Sequence, residues 1–190
     1  MAPPAEKKAI REAWKQNYPR DLALREKLSR QICAIIAATP EFRAARWVGI
    51  FSKLPWEPDL TPLWTLRPEA CVFPATDPPV RAMAFYSVKS LAELVPGHAR
   101  IPEPSKILAN RVDKWTSQDL ILAPGHGFDE SGGRIGSGEG FYDRFLQGLP
   151  VQKWGICFSE QIAKGRFAQE ATDVRMDAVV TPLGKIERKS

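Results

Sequence analysis

Four consecutive apolar residues, Leu120-Ile121-Leu122-Ala123, run straight into Pro124-Gly125. A strand with one wet face alternates apolar and polar residues. This one does not, so both of its faces are buried, as in a parallel sheet covered on each side. Further strand-like runs occupy residues 47–51, 70–73, 82–86, 154–158 and 178–181, the second closed by Pro74. Helical patterns separate them. One covers residues 9–18, with Ile10, Ala13/Trp14 and Tyr18 at helical spacing, and Pro19 stops it. A second begins at Asp21 as N-cap, buries Leu24, Leu28, Ile32 and Ile35/Ile36, and ends at Thr39-Pro40. Residues 60–66 and 140–149 read as two more. Residues 91–94 form a helical turn at most, and residues 100–104 are extended because each proline restricts its predecessor. The expectation is a single three-layer α/β/α domain over residues 1–190, a mostly parallel sheet flanked by helices. Ligands of such sheets bind beyond the carboxyl ends of the strands, which points to residues 51–57 and 124–142.

Composition narrows the function class. A chain of 190 residues with 44% hydrophobic residues supports one core and excludes disorder along its length. No apolar run approaches the length of a membrane span. The N-terminus Met-Ala-Pro-Pro-Ala-Glu-Lys-Lys lacks the apolar centre of a signal peptide, and Cys33, Cys71 and Cys157 stand singly. Reduced thiols in a cytoplasmic compartment are expected, as is a monomer. The net charge of +5 favours anionic partners. It is spread along the chain, with one short basic tail at residues 185–189, which weakens the case for nucleic acid.

The densest signal is Gly132-Gly133-Arg134-Ile135-Gly136-Ser137-Gly138-Glu139-Gly140-Phe141-Tyr142-Asp143-Arg144. Alternating glycines before a helix let backbone N–H groups cradle an anion, with Arg134 as a forked donor and Asp143 as a cation ligand. The other reading is a flexible turn. The segment is neither a Walker A loop nor a dinucleotide fingerprint. Lys7 and Arg11, one turn apart, either clamp a polyphosphate or form a solvated face. Glu57 either accepts from the ring N–H groups of a heterocycle or is an exposed loop acid. Trp56 stacks on a ring or packs. One of Asp173 and Asp177 is a metal or ribose ligand, or both are caps. His126 is an acid–base group or a solvated side chain.

Taken together these residues resemble the 5-formyltetrahydrofolate cyclo-ligase family. Pro124-Gly125-His126-Gly127-Phe128-Asp129, then residues 133–144, follow the family pattern P-G-x-x-F-D and G-x-R-L-G-x-G-x-G-Y-Y-D. Lys7-Lys8-Ala9-Ile10-Arg11 is similar to its N-terminal K-x-x-L-R, and Ile101-Pro102-Glu103-Pro104 to its I-x-E-P. Glu57, Gln161 and Asp173 also have counterparts. Four positions depart from the pattern: Glu139 for Gly or a basic residue, Phe141 for the first Tyr, Ala99 for an aromatic, and His126 at a position often apolar.

The resemblance implies cyclisation of 5-formyltetrahydrofolate to 5,10-methenyltetrahydrofolate, with ATP and Mg2+ as cofactors and ADP and phosphate as products. Lys7, Arg11, Arg134, Gly136, Ser137, Gly138, Glu139, Gly140, Phe141 and Tyr142 would then hold ATP, with Lys7 and Arg134 also catalytic. Asp143 and Asp173 would hold Mg2+. Phe51, Ser52, Glu57, Ser137 and Phe141 would bind the reduced folate, whose polyglutamate tail suits the positive charge. The alternatives are a non-catalytic relative that binds nucleotide or RNA, or a ligase for a related heterocycle.

Overall fold

The computed structural model describes residues 9, 11–14, 16–106 and 109–189. Residues 11–14 are helical. Helix α1 (Leu22–Ala38) starts where the Asp21 carboxylate accepts from the Leu24 N–H at 2.6 Å, and it buries Ile32, Cys33 and Ile36. Thr39 ends it and caps the short α2 (Pro40–Ala44), whose Pro40 stands in the first turn. Then come β1 (Val48–Gly49), α3 (Thr61–Leu66), β2 (Cys71–Asp77) and β3 (Ala82–Ser87). A hairpin of β4 (Leu94–Pro96) and β5 (Pro102–Pro104) leads to β6 (Asn110–Arg111) and β7 (Leu120–Pro124). Strands β8 (Gly127–Asp129) and β9 (Arg134–Ile135) precede α4 (Phe141–Leu146). The chain closes with β10 (Gln152–Ile156), β11 (Ile162–Ala163), β12 (Ala178–Thr181) and β13 (Gly184–Glu187).

The main sheet has the order β13-β12-β10-β7-β1-β2-β3-β6. The central pairs β12–β10, β10–β7, β7–β1 and β1–β2 are parallel, and antiparallel strands form both edges. Leu120 and Leu122 of β7 enter one core with Ile32, Ile36, Phe42 and Leu63 of the helical layer. Ile121 and Ala123 enter a second core with Phe128 and Leu146. The unalternated apolar run is therefore buried on both sides, as its composition required. The second outer layer is only partly helical: α4 shares it with the three-stranded sheet β11-β8-β9.

Several boundaries differ from the sequence expectation. The first helix stops before Tyr18, because Asn17 N–H already closes a turn on the Trp14 carbonyl at 3.0 Å. The first strand is only Val48–Gly49. Pro74 lies inside β2 rather than closing it. The even residues Ala70 and Val72 bond toward β1, so Pro74 faces the same side beyond the end of that two-residue strand, where no ladder bond is lost. Arg100 is not extended: Ala99 and Arg100 have φ of 52° and 62°. The helix expected over 140–149 begins after left-handed Gly140 and ends at Leu146, with Gly148 at φ 74°. The strand expected at 154–158 is shifted to Gln152–Ile156.

Candidate active site

A cleft of about 740 Å3 opens beyond the carboxyl ends of β1 and β7, where a parallel sheet offers its ligand crevice. One wall is the segment after β1; the other is the Gly-rich segment that runs from β9 into α4.

The Gly-rich wall has a regular construction. Gly136, Gly138 and Gly140 each lie under a different guanidinium. A Cβ at Gly136 would stand 2.8 Å from Arg134 Nη1, one at Gly138 3.2 Å from Arg11 Cζ, and one at Gly140 2.8 Å from Arg144 Nη1. Gly138 and Gly140 also have φ of 99° and 69°, which side-chain-bearing residues adopt at a cost. Small residues thus let three cations approach one stretch of backbone.

Arg134 is the best held of them, its side chain only 6% exposed. Its Nη1 donates to the Pro124 carbonyl at 3.2 Å and its Nη2 to Asp143 Oδ2 at 2.7 Å. Its guanidinium lies 5.5 Å from the centre of the Tyr142 ring. The other Asp143 oxygen accepts from the Val174 N–H at 3.2 Å, which brings the neighbour of Asp173 alongside. Asp173 Oδ2 in turn accepts from the Glu170 N–H at 2.8 Å.

The opposite wall carries Phe51, Ser52, Trp56 and Glu57. Glu57 is half-buried, and one oxygen accepts from the Leu54 N–H at 2.8 Å. Burial pushes its carboxyl up to about 7, against the opposing effect of that bond. Burial, with a smaller push from Glu57, also drives the Tyr142 phenol up, while Arg134 acts the other way. His126 is buried, its ring 5.7 Å from that of Trp56. Ser52 Oγ, Trp56 Nε1, Tyr142 Oη and Arg134 Nε are buried with no hydrogen-bond partner among the described residues. Four such atoms around one cleft are polar groups prepared for a ligand.

The structure brings nearly all the sequence-predicted residues together. Phe51, Ser52, Glu57, Arg11, Arg134, residues 136–142, Asp143 and Asp173 all line the cleft. Lys7 lies outside the described residues. Glu57 is a wall residue rather than an exposed loop acid. Asp177 is elsewhere: it accepts from the Lys153 N–H at 2.9 Å and pins β10. Sequence reasoning missed Thr76, Arg81 and His98, and gave Glu103 no part in the site; all four line the cleft. Glu103 holds the β4–β5 hairpin to β2 by accepting from Thr76 Oγ1 at 2.7 Å. His98 sits at the hairpin tip, its Nε2 3.0 and 3.1 Å from the two oxygens of Glu139.

A crevice at the carboxyl end of parallel strands, with guanidinium groups on one wall and a half-buried acid among aromatics on the other, is the ligand cleft of an α/β fold. The sequence profile of the 5-formyltetrahydrofolate cyclo-ligase family matches residues 4–182. The 5-formyltetrahydrofolate cyclo-ligase of Escherichia coli K12 is 30% identical over 166 residues, 83% of this chain and 89% of that protein. A probable 5-formyltetrahydrofolate cyclo-ligase of Schizosaccharomyces pombe is 36% identical over 94 residues, 43% of this chain and 46% of that protein. The 5,10-methenyltetrahydrofolate synthetase of Aquifex aeolicus superposes with a TM-score of 0.82 at 28% identity, covering 97% of this chain and 93% of that one. The chain belongs to the 5-formyltetrahydrofolate cyclo-ligase family, a family of ligases.

Proposed function

We propose that the protein uses ATP to close the imidazoline ring of 5-formyltetrahydrofolate, releasing 5,10-methenyltetrahydrofolate, ADP and phosphate. The observation that carries this is the facing of the two walls: three guanidiniums over Gly136, Gly138 and Gly140 across from Glu57 and Trp56. In the proposed reaction the formyl oxygen takes the terminal phosphoryl group. N10 then attacks the activated carbon, and the C–O bond breaks with loss of phosphate.

Each wall has a role in that chemistry. Phosphoryl transfer needs positioning and charge neutralisation above all. Arg134, fixed by Pro124 and Asp143, presents a preorganised cation, and Arg11 adds a second beside Gly138. Lys7 is proposed as a third. Backbone N–H groups of residues 136–140 cradle phosphate oxygens. Glu57 accepts from the ring N–H groups of the pterin once it is ionised, and Trp56 stacks on the ring beside Phe51 and Ser52. Ser137 and Phe141 reach toward the folate from the loop.

Asp143 and Asp173 are the proposed ligands of Mg2+. Both stand at the guanidinium end of the cleft, and the ion is commonly held by one or two carboxylates plus phosphate oxygens. Bound there, Mg2+ would neutralise charge on the phosphates. The test is turnover of 5-formyltetrahydrofolate with and without ATP, followed by the absorbance of the methenyl product.

A further inference from the structure

The Gly-rich wall contains one negative side chain among its cations. Glu139 follows Gly138, under Arg11, and precedes Gly140, under Arg144. A carboxylate there opposes any polyphosphate held by the loop. Yet among the described residues its carboxylate meets a histidine rather than a guanidinium. Arg144 Nη2 donates instead to the Glu139 backbone carbonyl at 2.7 Å. Both carboxylate oxygens lie within hydrogen-bond reach of His98 Nε2, on a different part of the chain.

His98 is held firmly in that place. Ile101 N–H donates to the His98 carbonyl at 3.0 Å, closing a tight turn, and the Ile101 carbonyl accepts from Gly97 N–H at 2.8 Å, so that His98 is the extra residue of a bulge beside the turn. The central residues of the turn, Ala99 and Arg100, are both at positive φ, a conformation normally given to Asn-Gly. Strain of this kind persists only where surrounding contacts over-determine it. Those contacts are the Glu103–Thr76 bonds at the base of the hairpin and the His98 ring 5.9 Å from Phe141 at its tip.

We propose that His98 is a positioning residue that draws the Glu139 carboxylate onto itself and so keeps the loop receptive to polyphosphate. An exposed side-chain contact of this kind adds little stability. What this one sets is where a negative charge stands. Arg144 and Arg11 face the same loop, and without His98 they become the partners of Glu139 and are withdrawn from the ligand.

The inference rests on reading the loop as the triphosphate site, and its test separates the two. Binding of inorganic tripolyphosphate at low salt is measured by calorimetry, without folate, for the wild type, H98Q, E139Q and H98Q/E139Q. The expected result is a roughly fivefold weakening in H98Q and recovery to wild-type affinity or better in the double variant. Steady-state kinetics of the same proteins should place the H98Q defect in KM for ATP, with KM for 5-formyltetrahydrofolate unmoved. E139Q alone should also strengthen binding, so the deciding quantity is the coupling: E139Q must gain more in the H98Q background than in the wild type, and equal gains in the two backgrounds overturn the proposal. Unchanged affinity in H98Q, or a double variant as weak as H98Q, overturns the proposal. Tripolyphosphate binding that follows the predicted pattern, without folate turnover, retains the positioning role and removes only the folate reading. A wild type that binds no tripolyphosphate overturns the positioning role even if turnover is observed.

Discussion

Arg134 Nη2 and Asp143 Oδ2, 2.7 Å apart, join β9 to α4 across the Gly-rich loop. The pair fixes both ends of the loop while leaving Arg134 Nε, buried beside the cleft, with no protein partner among the described residues. The most preorganised cation of the site is thus also its structural clamp.

Arg134→Lys keeps the charge and loses the fork, since one ammonium cannot reproduce two directed donors in that geometry. Turnover should fall by at least about 100-fold, with melting temperature lowered by only a few degrees. Turnover assays and thermal denaturation check this. Wild-type turnover would remove Arg134 from the reaction.

Asp143→Asn separates clamp from metal ligand. If Asp143 holds Mg2+, the concentration for half-maximal velocity should rise at least about fivefold, because a neutral amide is a poor ligand for a hard cation. A lower maximal velocity with an unmoved Mg2+ titration would assign it to positioning Arg134 alone.

Glu57 gives the site a pH dependence with a definite sign. Burial raises its carboxyl to about 7, so below that pH the free protein holds it protonated. A pterin presenting N–H donors favours the carboxylate, and binding must then expel a proton. Affinity for 5-formyltetrahydrofolate should strengthen as pH rises through about 7 and level off above it, and Glu57→Gln should flatten the profile. Stability runs the other way. Between the ordinary carboxylate range and about 7, the folded protein binds a proton that the unfolded chain has released. The contribution of Glu57 therefore falls as pH rises across that window. Calorimetric titrations and melts across pH 5–9 check both signs.

Arg100→Gly should stabilise the protein by about 1 kcal/mol, since glycine adopts φ 62° without the Cβ penalty. Thermal denaturation should show a rise of about 2–4 °C for a chain of this size. A fall would mean that side-chain contacts of Arg100 outweigh the strain.

The central architecture was legible because its causes are local. Leu120–Pro124 cannot be a half-exposed strand, and the β12 strand was read to the residue. The Gly-rich loop was legible because alternating glycines before a helix are uncommon without a close approach of something else. Of the arginines that approach them, Arg134 and Arg144 are neighbours in sequence, on β9 and α4, whereas Arg11 comes from the first helix, more than a hundred residues away. The arm of the hairpin that bears Glu103 was visible as Ile101-Pro102-Glu103-Pro104, but the turn that bears His98 was not, because Ala99-Arg100 has none of the residues that a tight turn of that type prefers. Glu57 was found as a candidate, but its burial depends on the fold around it rather than on the loop that bears it.

The most direct measurement mixes purified protein, 5-formyltetrahydrofolate, Mg2+ and ATP and follows the methenyl absorbance, with ATP omitted in the control. The account predicts product that appears only with ATP, in step with ADP release. A folded protein that binds tripolyphosphate yet forms no methenyl product would contradict it, and would turn attention to Ala99, Glu139 and Phe141 as positions that redirect the site to another heterocycle.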